Sequence, residues 1–211
     1  MSKKLTELKV LIKGGGEVAS GVAHRLFRAH FKVCLTEIPQ PQAVSREVSF
    51  SEAVYDGEKE VEGVVAKLVK SASEIPTVWG DNKIPIIVDP EATIKNTIHP
   101  DILIDAIMAK RNLGTKLTDA SLVIGLGPGF QAGKDVHLIV ETSNSERLGE
   151  VIFAGEAEKN TGVPIAIGGL TSQRVQHASD GGLFVTNKEI GEQISVGAEI
   201  GRLGGQEIKA P

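Results

Sequence analysis

Gly14, Gly16, Ala19 and Glu37 are the residues whose types and spacing point most directly to chemistry. Gly14-Gly15-Gly16-Glu17-Val18-Ala19 follows the apolar run Val10-Leu11-Ile12, and Glu37 closes a second apolar run eighteen residues beyond Ala19. That order is a dinucleotide-binding fingerprint. The first glycine permits a tight strand-to-helix turn, the second lets the backbone approach a pyrophosphate, and a small third residue lets helix and strand pack closely. The first helical turn would then offer free N–H groups and the positive end of its dipole to the phosphates. A carboxylate at Glu37 accepts hydrogen bonds from ribose hydroxyls and repels a 2′-phosphate, so NAD is expected over NADP. Glu17 suits the helix dipole but adds negative charge beside the expected pyrophosphate. Glycines kept only for packing are the plainer reading of the same string.

A second cluster, Gly125-Leu126-Gly127-Pro128-Gly129-Phe130-Gln131-Ala132-Gly133, precedes the alternating Asp135, His137, Ile139 and Glu141. Strand periodicity follows it, so no helix dipole is expected there. Gly127 and Gly129 could present backbone N–H groups as an anion nest, with Asp135 and His137 on one side at i, i+2, as a second binding site. A wide β-loop with a half-exposed polar face is the plainer alternative. Two ligand-type residues are too few for a metal, and none is expected. Asp89 and Asp105 each close an apolar run and are crevice candidates, although a strand-end Asp more commonly caps the next turn. No residue announces itself as a general acid, base or nucleophile.

Elements must hold these residues in place. Leu8 to Lys13 reads as a strand, and Val18, Val22, Ala23, Leu26 and Phe27 paint one helix face, with His30 in the left-handed position at its end. Cys34 reads as a small buried residue of the second strand. Val61, Val64, Val65 and Leu68 read as a crossover helix. Ile84 to Val88 and Ile102 to Ala106 read as buried strands of a parallel sheet, whose carboxyl ends would line the ligand crevice. Beyond Leu113-Gly114, short strands alternate with glycine turns: Leu122 to Gly125, Val136 to Glu141, Val151 to Ala154, Pro164 to Ile167 and Leu183 to Thr186. Ile190 to Gly201 has the rhythm of a small lipoyl- or biotinyl-type β-sandwich that stays incomplete at Pro211. Leu203-Gly204-Gly205-Gln206-Glu207 stands where a carrier domain would present its lysine. The expected fold is therefore α/β: a Rossmann-like parallel sheet forming a dinucleotide-binding domain over 1–114, a β-rich second region over 115–188, and a partial barrel-sandwich-like unit over 189–211.

The 211 residues carry 23 Lys+Arg against 27 Asp+Glu, a net charge of −4, with no block of like charge. Nucleic acid is a poor partner for such a surface. No apolar run approaches the roughly 20 residues that span a bilayer, and Glu7 and Lys9 interrupt any signal-peptide-like stretch. One cysteine rules out a disulfide framework, and cytoplasmic residence is the expectation.

Three segments taken together, Leu11 to Leu26, Asp105-Ala-Ile-Met-Ala-Lys-Arg-Asn112 and Ile124-Gly-Leu-Gly-Pro-Gly-Phe-Gln-Ala-Gly-Lys-Asp-Val-His-Leu-Ile-Val-Glu141, resemble the accessory family of selenium-dependent molybdenum hydroxylases over nearly the whole chain. The resemblance implies a maturation role, similar to that of the xanthine-dehydrogenase accessory proteins, with an apo-hydroxylase subunit as partner. It also implies a molybdenum-pterin cofactor as a second ligand, its phosphate end at Gly127, Gly129, Asp135 and His137. A homo-oligomer is compatible with that role. Members of the family usually continue past the equivalent of Pro211. Over the first βαβ unit alone the chain resembles the NAD-dependent dehydrogenases of sirohaem synthesis, which oxidise a tetrapyrrole precursor. An NAD-sensing regulatory module is a third class, needing only the first domain.

Overall fold

Val10-Leu11-Ile12 and Val33-Cys34-Leu35 are apolar without alternation, the pattern of strands covered on both faces. They form parallel neighbours β1 (Lys9–Lys13) and β2 (Lys32–Glu37), joined by helix α1 (Glu17–Arg28). The computed structural model describes residues 3–164 and 166–211. After β2 come α2 (Ala53–Asp56), β3 (Glu58–Val61), β4 (Val64–Val69), α3 (Ile75–Gly80), β5 (Ile84–Val88), α4 (Lys95–Ile98), β6 (Ile102–Asp105) and β7 (Leu122–Leu126). Then follow β8 (Gln131–Ala132), β9 (Leu138–Val140), β10 (Val151–Ile152), β11 (Gly155–Glu156), β12 (Phe184–Val185), β13 (Glu199–Leu203) and β14 (Gln206–Lys209).

Nine strands make one sheet in the order β10-β9-β7-β6-β1-β2-β5-β4-β3, parallel throughout except for the antiparallel edge strands β3 and β10. From β1 the chain builds outward through β2, then crosses back to place β6 on the other side of β1. Strand order reverses at that point, so the carboxyl ends of β1 and β6 lie side by side where ligand crevices form in such sheets. Val10, Ile12, Val33, Leu35 and Ile104 face one core, which α1 covers with Ala19 and Ala23 fully buried and Val18, Val22, Leu26 and Phe27 packed alongside. Leu11, Cys34, Leu103 and Val123 face the other, covered by Ile75 and Val78 of α3. The helix face read from the sequence is the one that packs, and His30 ends α1 at φ +67°.

Two expectations are corrected. Residues 61–68 form the hairpin β3–β4 instead of a crossover helix. Their valines are β-branched, and Glu62 and Gly63 both take positive φ (+48° and +76°), the pair of left-handed positions that a two-residue hairpin turn needs. The chain also does not divide at 114: β7 pairs with β6 and β9 with β7, both parallel, so the large sheet runs through the expected boundary. Connections carrying no long helix hide such strands from a search for βαβ units. The compact units are Met1–Asn160 and Thr161–Pro211.

Within the second unit, β12, β13 and β14 form a three-stranded antiparallel sheet, and Gly204-Gly205 turns the β13–β14 hairpin. The strand expected over Pro164 to Ile167 includes residue 165, outside the described residues. Among the described residues no helix is long and apolar enough to cross a membrane.

Candidate functional site

Gly14 leaves β1 at φ +97°, and a Cβ there would meet the Ala106 carbonyl oxygen at 3.1 Å, so the turn at the crevice floor requires glycine. Gly16 is the N-cap of α1 at φ −66°. No side chain caps that helix, and nothing stands within 4 Å of where a Gly16 Cβ would project. The first-turn N–H groups have no intrahelical acceptor and no capping side chain, the arrangement that receives anions.

Glu37 lies half-buried at the end of β2. Its Oε2 accepts the Gly15 N–H at 2.7 Å, and its Oε1 accepts the Ile38 N–H at 2.7 Å. The carboxylate therefore fixes the glycine turn, a role that sequence spacing alone does not reveal. Each oxygen retains a lone pair for a ligand hydroxyl. Around this turn opens a cavity of about 500 Å³, within the size range of small-molecule sites, whose lining includes Glu17, Glu37, Ser51, Met108 and Lys110.

The opposite wall is the segment leaving β6. Lys13 and Asp105 form a buried ion pair at 3.1 Å, and the Thr115 hydroxyl joins both, accepting from Lys13 Nζ at 2.7 Å and donating to Asp105 Oδ2 at 2.5 Å. Asn112 grips the Thr115 backbone through both its N–H and its carbonyl. Lone buried charges are costly, whereas this cluster is paired and hydrogen-bonded, so it clamps residues 106–115 to the end of β1. Within that clamped wall Met108 and Lys110 both take φ +61°. Asp105 is buried and does not itself line the cavity; it acts through the wall it holds. Asp89 caps the turn after β5, accepting from Ile94 N–H at 2.7 Å and from the Thr93 hydroxyl at 3.1 Å, and it also lines a smaller cavity beside Gly14 and Glu37.

At Gly125, Gly127 and Gly129 of the second cluster, protein fills the space that a side chain would take. Cβ atoms at Gly125 and Gly129 would stand 2.5 Å from the Phe130 ring and the Arg111 backbone nitrogen respectively, and one at Gly127 would strike the Thr142 hydroxyl. Asp135 accepts the Gln131 N–H at 2.9 Å, and His137 Nδ1 accepts the Val123 N–H at 3.0 Å. Both expected second-site side chains are held by backbone close by, and neither lines the cavity at Gly14. Gly129 instead brings its loop against Arg111, behind the wall that carries Met108 and Lys110. Cys34 is fully buried, and burial, with Asp89 nearby, pushes its thiol up to about 12.

Met108 and Lys110 lie in the segment Asp105 to Asn112 that carries the resemblance but have no role assigned from sequence, and Ser51 is not among the sequence candidates. Ser51 sits in a stretch without periodicity, and its approach to the glycine turn is a matter of tertiary packing.

No family model matches the chain, and no solved structure matches it. It is similar to a protein of Escherichia coli (strain K12) described as uncharacterized protein YqeB, at 44% identity over 202 residues, which cover 96% of this chain. The chain spans 37% of the length of that curated relative.

Proposed function

We propose that the crevice between β1 and β6 is a Rossmann-like NAD(H) site, and that the chain serves the maturation of a selenium-dependent molybdenum hydroxylase. The observation that carries the first part is the meeting, at the point where strand order reverses, of a glycine turn, an uncapped helix N-terminus and the Glu37 carboxylate. The maturation role rests on the resemblance of three segments. Its support is that two of them line this crevice, Gly14 to Glu17 as its floor and Ala106 to Lys110 as its wall, while Gly129 of the third packs against the backbone of Lys110 and Arg111 in the second. The apo-hydroxylase is the proposed partner. The engaged state of Asp135 and His137 turns the reading away from a pterin site at the second glycine cluster.

Calorimetric titration tests the cofactor assignment. NAD(H) is expected to bind more tightly than NADP(H), and Glu37→Ala to weaken NAD(H) binding by about 1–3 kcal/mol. Equal or tighter NADP(H) binding by the wild type would remove the assignment. The maturation role is tested in a strain lacking the gene: hydroxylase activity should fall while its polypeptide accumulates, and the wild-type gene should restore it. Steady NADH formation from a sirohaem precursor at about 1 per second or faster would make the protein a dehydrogenase instead.

A further inference from the structure

Segment 49–52 lies directly on the glycine turn. The Ser51 N–H donates to the Gly15 carbonyl at 2.8 Å, and a Cβ on Gly15 would stand 3.2 Å from Ser51 Cα. Neighbouring serines are all satisfied: Ser20 Oγ donates to the Gly15 carbonyl at 3.0 Å and accepts the Phe50 N–H at 2.7 Å, and Ser49 Oγ donates to the Ser45 carbonyl at 2.8 Å. Ser51 Oγ is different. It is buried and is the one buried side-chain polar atom without a hydrogen-bond partner among the described residues, yet Ser51 lines the cavity at the start of α1. A buried hydroxyl without a partner costs free energy, so its presence calls for a partner outside the polypeptide.

We propose that Ser51 is a ligand-binding residue whose hydroxyl donates to a phosphate oxygen seated at the N-terminus of α1. This inference rests on the NAD(H) reading and names the part of the ligand that Ser51 meets. A phosphate needs several donors converging on one point. The first-turn N–H groups of α1 supply some, and the unpartnered hydroxyl of Ser51, a residue that lines the same cavity, is the further donor. The negative charges of Glu17 and Glu37 beside the cavity raise the need for a further neutral donor.

The test compares wild type with Ser51→Ala by titrating NADH and, separately, inorganic pyrophosphate, and by measuring melting temperature without ligand. The variant should bind both probes about tenfold or more weakly, the scale of a hydrogen bond to a charged group. Its melting temperature should stay the same or rise, because an unsatisfied hydroxyl has been removed. Equal affinity of variant and wild type for pyrophosphate would overturn the proposal, and so would a clearly lowered melting temperature, which would mean that the hydroxyl has a structural partner. Wild-type binding of pyrophosphate without NADH, weakened by Ser51→Ala, would sustain the phosphate contact while removing the NAD(H) reading. Binding of neither probe would remove both.

Discussion

Two glycine-rich turns in one sheet differ in what fills the space that their missing side chains leave. At Gly14 to Gly16 the turn opens onto a cavity, with free volume over Gly16. At Gly125 to Gly129 the same kind of composition accommodates the Phe130 ring, Thr142 and the Arg111 backbone. A glutamate stands at or just after the end of a neighbouring strand in each case, but only Glu37 holds its glycine turn. Glu37 takes the N–H groups of Gly15 and Ile38 and remains half-exposed, whereas Glu141, 1% exposed, takes those of Thr142, Ser143 and Glu158 at 2.7–2.8 Å. Glycine content therefore does not distinguish an open turn from a filled one. What distinguishes them is whether a helix N-terminus follows and whether protein atoms already occupy the approach.

The sharpest way to break this contrast is Gly129→Ala. Gly129 has φ +111°, and the new methyl would lie 2.5–2.7 Å from backbone atoms of Lys110 and Arg111, which cannot rotate away. Backbone strain and overpacking together should cost about 3–5 kcal/mol, read as a shift in the urea midpoint. A small loss would mean that the second loop is looser than a packing turn should be.

Glu141 gives the next effect, and it depends on pH. Burial is the largest influence on its carboxyl and pushes it up, but the backbone N–H groups of Glu158, Ser143 and Thr142, with the charge of Arg147, hold it below the ordinary 4.5. A folded pKa below the unfolded one means that the stabilisation is fully present above about pH 4.5. It fades as pH falls through the lowered folded value. Glu141→Gln should cost about 2–3 kcal/mol near pH 7, the scale for charge-assisted hydrogen bonds, and should flatten the acid limb of stability against pH. An unchanged acid limb would remove Glu141 as the anchor of the 142–158 loop.

What the sequence discloses and what it hides follow the same line between local and tertiary causes. The first βαβ unit, the packed face of α1, the left-handed His30, the buried Cys34 and the capping role of Asp89 rest on periodicity and turn chemistry within a few residues, and all are legible. Residues 61–68 mislead because valines at steps of three and one imitate a helix face, while the Glu62-Gly63 turn between them carries the hairpin signal. Strands β7 and β9 join the parallel sheet without long helices to announce them. The wall at Met108 and Lys110 depends on the buried Lys13, Asp105 and Thr115 cluster, and the unpartnered hydroxyl of Ser51 on a fold-back of thirty-odd residues. Neither leaves a spacing to read.

The smallest expected change in stability belongs to Gly16→Ala, and it is the one that most sharpens the contrast. Gly16 has φ −66°, which alanine adopts freely, and its added methyl would meet no protein atom within 4 Å. Alanine is a poorer N-cap than glycine, so a loss of about 0.5–1 kcal/mol is expected and no more. The methyl would instead occupy the approach to the first-turn N–H groups, and NAD(H) affinity should fall about tenfold or more. Stability and affinity therefore part company at Gly16, while at Gly129 the structure itself gives way first. Should Gly16→Ala keep full NAD(H) affinity with its fold intact, the open turn would be a packing turn like the other, and the dinucleotide reading would lose its geometric basis.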